Sequence, residues 1–122
     1  MKIAIVTSDY CVPGETFVNR HIEHMFGGQT CVVCGRFNGD DPLGKPVFTR
    51  RAPLSPMDRL RLPWAALTGY LRDRTSRQPF GTGRVAVMDF LRAQKAEAIL
   101  AEFGTQALVV ARLANDMGLP VF

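Results

Sequence analysis

Long apolar runs are missing from this sequence: no stretch approaches the roughly 18 consecutive apolar residues that a membrane-spanning helix needs. The opening run after Lys2 soon meets Asp9, too short for the core of a secretory signal, and no small-residue cleavage pattern follows it. A cytoplasmic protein is therefore expected. Cysteine is scarce, limited to Cys11, Cys31 and Cys34. An odd count without an export signal argues against a disulfide framework, so reduced thiols are expected. Neither GxGxxG nor GxxxxGK[ST] occurs, which leaves a dinucleotide or P-loop site without motif support. No HExxH set, nucleic-acid-binding motif, internal repeat or low-complexity segment is present either. No cofactor, no metal and no nucleic-acid partner are expected.

What is present suits one globular domain. The 122 residues are 47% hydrophobic and 21% charged, enough to bury a single core. The net charge of +4 is concentrated in the middle of the chain: residues 45–84 carry nine Lys/Arg against two Asp/Glu. Such a stripe can meet nucleic acid, an anionic membrane surface or a phosphorylated substrate.

The run Lys2 to Thr7 is continuous, apolar and β-branched, the pattern of a strand covered on both faces; Ser8, Asp9, Pro13 and Gly14 are expected to end it. From Glu15 to Phe26 the residues Phe17, Val18, His21, Ile22, Met25 and Phe26 recur at helical spacing, and Gly27 and Gly28 stop the helix. Thr30 to Cys34 forms the next strand, giving a βαβ unit with a right-handed crossover. Val47 to Thr49 is a candidate short strand. Met57 to Thr75 is helical in pattern, with Pro63 expected to break it and leave Trp64 to Arg74 as a separate helix. Gln78 to Gly83 reads as a loop, Val85 to Lys95 as a helix and Ala98 to Phe103 as a buried strand. Gly104 and Thr105 then open a helix to Met117, closed by Gly118, and Leu119 to Phe122 starts another strand. The expected class is α/β, a Rossmann-like three-layer sandwich with a mainly parallel sheet. A domain rarely ends two residues after a proline that launches a strand, so the single domain over 1–122 is expected to be incomplete at its C-terminus.

In open α/β sheets ligands bind beyond the carboxyl ends of the strands. Two such edges can be located, at Ser8 to Thr16 and at Glu102 to Gln106. Glu15, near a helix start, repels phosphate but can accept hydrogen bonds from sugar hydroxyls; equally, it is a simple helix-start acid. Asp9 can join it or merely close the turn. Glu102 is an acid at the end of an apolar strand, either functional or a strand-end residue reaching solvent. His21 and His24 share a helix face without a metal set, which favours a packing role. Cys31 and Cys34 have CxxC spacing, but on a strand they face opposite sides, so both thiols are read as buried. The segment with Trp64, Leu67, Tyr70 and Leu71 beside Arg72, Arg74 and Arg77 is either a membrane-surface helix or, as favoured, a helix packed on the sheet with a solvated charged face.

The opening KIAIVTSDYCVPGETFVNRHIEHMFGG and the later EAILAEFGTQALVVARLANDMGLPVF, about half the chain together, resemble the N-terminal domain of bacterial family 4 glycosyltransferases of the GT-B fold. The resemblance implies two Rossmann-like domains facing a cleft, the N-terminal one holding the acceptor and a C-terminal partner holding the nucleotide sugar. By that likeness Pro13, Gly14, Glu15 and Thr16 line the acceptor cleft from one edge, and Glu102, Phe103 and Gly104 from the other. It further implies a glycan or glycolipid acceptor, surface polysaccharide assembly and retaining transfer without a tightly bound metal; the basic aromatic segment with Arg72, Arg74 and Arg77 is a candidate peripheral contact with the inner membrane face that suits this reading. The family's His-bearing loop and acidic donor motif are absent, so no catalytic residue is assigned and the isolated chain is expected to transfer no sugar. The alternative is a non-enzymatic Rossmann-like binding or interaction module.

Overall fold

The computed structural model describes residues 1–10, 16–37, 44–49, 55–75, 79–102 and 104–122. In chain order they form β1 (Ile3–Tyr10), α1 (Thr16–His24) with a 3-10 turn (Met25–Gly28), β2 (Thr30–Phe37) and β3 (Val47–Thr49). There follow α2 (Pro56–Asp73), α3 (Gly81–Ala93), β4 (Ala98–Ala101) and α4 (Gly104–Met117). The four strands make one parallel sheet in the order β3-β2-β1-β4. Val121 bridges Ile99 in parallel on the outer side of β4, supported by Ile99 N–H to Pro120 O and Phe122 N–H to Ile99 O, each at 2.9 Å. The expected α/β class is the one observed.

The alternating side chains of the sheet divide the core into two layers. Ile3, Ile5, Val32, Cys34 and Ala98 pack on Val18 and Ile22 of α1. On the other face Ala4, Val6, Cys31, Val33 and Ile99 pack on Val87 and Leu91 of α3 and on Val109, Val110 and Leu113 of α4. This division follows from crossover handedness: the step from β1 to β2 runs one way along the sheet, and the step past β1 to β4 runs the other way. Right-handed connections must then cover opposite faces. Cys31 and Cys34 are both buried, one in each layer, as their strand spacing predicts.

Several boundaries differ from expectation: β2 runs to Phe37 rather than Cys34, α1 gives way to a 3-10 turn after His24 rather than running to Phe26, β4 ends at Ala101 rather than Phe103, and three further differences have an identifiable cause. β1 runs to Tyr10 because β2 is equally long: Asp9 pairs with Arg36 and Tyr10 with Phe37, with the two rings 5.4 Å apart. α2 is continuous through Pro63. Proline there removes one donor, but Arg59, whose carbonyl loses its partner, is exposed, so water can replace the bond. α3 starts at Gly81, where a loop is expected, because its first turn is held by Asp58: the Thr82 N–H donates to Asp58 Oδ2 at 3.2 Å and the Thr82 hydroxyl donates to the same oxygen. Gly81 takes a positive φ of 56° beside that carboxylate, and a Cβ would overlap it.

Candidate functional site

β1 lies between β2 and β4, with α1 covering one face of the sheet and α4 the other. In open α/β sheets this switch of faces marks the place where ligands bind, in the crevice beyond the carboxyl ends of the strands. Glu102 follows β4 directly at this point. Its N–H donates to Val6 O at 2.9 Å, continuing the ladder one residue past the strand, while its side chain is only 9% exposed.

A buried carboxylate is costly unless it is hydrogen-bonded, and the partner comes from the other side of the crevice. His21, on the second turn of α1, brings Nδ1 to 2.7 Å from Glu102 Oε1. With the carboxylate accepting, Nδ1 carries the proton and Nε2 is turned to other partners. The imidazole is 43% exposed and packs edge-on against Phe17, ring centroids 6.0 Å apart; Phe17 is itself about half exposed. The arrangement is an acid sheltered from water, an imidazole between it and solvent, and an aromatic face alongside. Gln106, in the first turn of α4, is also buried.

Of the residues expected at the acceptor edge, Glu102 is present as a buried, paired acid rather than one reaching solvent. Gly104 opens α4 with open space around it. Thr16 is the first residue of α1. Pro13, Gly14, Glu15 and Phe103 lie outside the described residues, as does Arg77. The sequence assigns His21 only a packing role; its link to Glu102 spans 81 positions and leaves no local signal beyond helical phase. Among the described residues no group of three or more His, Cys, Asp and Glu is clustered for a metal ion.

Two other features bear on function. A cavity of about 390 Å³ at the opposite, amino edge of the sheet is lined by Lys2, Gly28, Thr30 and Lys45. Both lysines are engaged, Lys45 on Gly28 O at 2.5 Å and Lys2 on Gln94 Oε1 at 2.9 Å, so it presents little free charge. On α2, Trp64, Leu67, Tyr70 and Leu71 face solvent, which corrects the expectation of a helix packed by that stripe on the sheet. Its inner side carries the small residues Ala65, Ala66 and Gly69 and is tied by polar contacts: Asp58 caps α3, and Asp73 accepts from Arg112 of α4, Nη2 at 2.7 Å and Nε at 3.0 Å. No helix described is long and apolar enough to cross a membrane. Comparison with protein-family models, with curated proteins and with solved structures finds no match to this chain.

Proposed function

We propose that the domain is the acceptor-binding half of a glycosyltransferase, holding a glycan or lipid-linked glycan while a second GT-B domain presents the nucleotide sugar. The observation that carries this reading is the Glu102–His21 pair across the crevice at the carboxyl ends of β1 and β4. The carboxylate and the imidazole Nε2 together offer acceptors in fixed directions, the chemistry that orients hydroxyl groups, and Phe17 beside them offers an apolar face for a pyranose ring. The same carboxylate disfavours a pyrophosphate, and no glycine-rich loop exists to cradle one. Glu15 and its neighbours Pro13, Gly14 and Thr16 would complete the acceptor edge from the β1 side, with Phe103 and Gly104 beside Glu102.

The domain's contribution to the reaction is positioning. Holding one acceptor hydroxyl against the donor carbon converts an encounter between two solutes into a step within one complex. In this reading the donor is presented by the second domain. A workplace at the cytoplasmic face of a membrane, with Arg72 and Arg74 toward the lipid, fits a lipid-linked acceptor.

Ligand-observed NMR on the 122-residue chain tests the reading. Glycan and glycolipid-headgroup acceptors should give weak saturation-transfer signals while nucleotides, nucleotide sugars and dinucleotides give none. Glu102→Ala and His21→Ala should each weaken the acceptor signal by about tenfold, the scale of one hydrogen bond to a charged group. Tight binding of a nucleotide, or acceptor binding indifferent to both substitutions, overturns it in favour of a self-sufficient binding module.

A further inference from the structure

The amphipathicity of α2 is inverted relative to the domain. With about 100° of turn per residue, Met57, Leu60, Trp64, Leu67 and Leu71 fall within an arc of about 80°, a stripe about 21 Å long. That stripe points away from the protein: Leu60 is 81% exposed, Trp64 71% and Leu71 68%, and Met57 and Leu67 are at least half exposed. The side turned inward holds Asp58, Gly69 and Asp73, and its ends are tied by the Asp58 cap on α3 and the Asp73–Arg112 bridge to α4. The helix is thus fastened by polar contacts so that its apolar side is presented outward.

The rim of the stripe is cationic. Arg61 and Arg72 lie about 40–60° beyond one edge of it and Arg59 about 80° beyond the other, with Arg74 following at the helix end. Among the described residues Arg59 and Arg74 form no ion pair, and Arg72 lies 3.6 Å from an Asp73 carboxylate already held by Arg112. The two acids of α2, Asp58 and Asp73, are held first by Thr82 and Arg112 and only secondarily act on Arg61 and Arg72, so the rim keeps an excess of positive charge. A second copy of the chain would therefore bring arginines against arginines, whereas an anionic surface complements both the apolar stripe and its border.

We infer that α2 lies in the plane of an anionic lipid bilayer, with Met57, Leu60, Trp64, Leu67 and Leu71 inserted among the upper acyl segments and Arg59, Arg61 and Arg72 on lipid phosphates. Long, flexible arginines can reach up to the headgroups while their stems stay in apolar contact. This deepens the membrane contact proposed above by assigning binding to the apolar stripe, and it does not depend on the Glu102–His21 crevice taking a saccharide.

Trp64 is the only tryptophan in the chain, so its emission reads the stripe directly. The 122-residue protein is titrated with vesicles of phosphatidylcholine alone and of phosphatidylcholine with phosphatidylglycerol, and separately with vesicles containing brominated lipid. A blue shift with the anionic vesicles, quenching by bromine high on the acyl chain, and little response to neutral vesicles are expected. Leu60→Glu or Leu67→Glu should lower partitioning at least tenfold, and Arg59→Gln, Arg61→Gln and Arg72→Gln about fivefold each. These residues are exposed, so far-UV circular dichroism and Tm should hold in every variant.

Absence of a blue shift with anionic vesicles overturns the inference, as does quenching that survives Leu60→Glu. A blue shift that grows with protein concentration in the absence of lipid, with a dimer in sedimentation, reassigns the stripe to a second copy. Binding of a synthetic acidic amphipathic peptide without any binding of vesicles reassigns it to a protein partner. Acceptor binding followed by NMR in Leu60→Glu separates this outcome from the saccharide reading: it should persist, since the two sites share no residue.

Discussion

Cys31 carries a titration written into the core. Burial pushes its thiol up to about 11 from 9.0, against the opposing charge of Lys2. The folded thiol holds its proton at pH values where the unfolded one has lost it. Its stabilising contribution is therefore complete below pH 9 and is lost as pH rises from 9 toward 11. Urea denaturation across that range should show stability falling more steeply in the wild type than in Cys31→Ala, with a difference of about 2–3 kcal/mol accumulated over the interval. Alkylation at pH 8 mapped by mass spectrometry should find Cys31 protected in the folded chain and labelled in urea. This burial was readable from strand alternation alone, because positions three apart on a strand must face opposite layers. The Glu102–His21 pair was not readable in the same way. An acid at a strand end marks a position, but its partner is fixed only by how α1 lies on the sheet.

At the level of the element, α2 and α3 are joined by a cap that crosses 24 positions. The hydrogen bond from the Thr82 hydroxyl, more than any other influence, holds the Asp58 carboxyl below its ordinary 3.8, so the stabilisation is present above that pH and fades as acid protonates the folded group. Thermal unfolding of Asp58→Ala should show a lower Tm at pH 7, and a difference from wild type that shrinks as pH falls below about 4. Two glycines of α3 separate the contributions of space and backbone. Gly81→Ala, at positive φ and against Asp58, should destabilise the protein clearly. Gly83→Ala, with nothing near its Cβ position, should stabilise it by about 0.5–1 kcal/mol through helix propensity, as chemical denaturation would measure. Local signals located most elements: Gly118 ends α4 at positive φ as its sequence context predicts, while Gly27 and Gly28, also at positive φ, close the 3-10 turn that follows α1. Where a boundary was missed, the deciding contact was distant: Asp58 for the start of α3, and the length of β2 for the end of β1. The continuity of α2 through Pro63 follows from solvent exposure, which a propensity cannot register.

Over the whole molecule, the parallel sheet is the stable unit and α2 its most weakly packed attachment. β1 is hydrogen-bonded on both sides, by β2 and β4, and covered on both faces, whereas α2 meets the domain through one side. Hydrogen exchange should find the amides of Ile5 and Val6 protected nearly to the global limit and the outer turns of α2 exchanging orders of magnitude faster. The α/β class was legible because continuous apolar strands alternate with helical patterns. The outward orientation of α2 was not, because the same apolar spacing describes a helix packed inward and one packed outward. That orientation has a practical result for anyone who unfolds this protein. Its sole tryptophan is already hydrated in the folded state, so tryptophan emission will barely change when the core melts, and a fluorescence-monitored denaturation curve would pass for that of an unfolded chain. The optical report of the fold lies instead with Tyr10, fully buried beside Phe37, whose near-ultraviolet dichroism should collapse in the transition that emission fails to record.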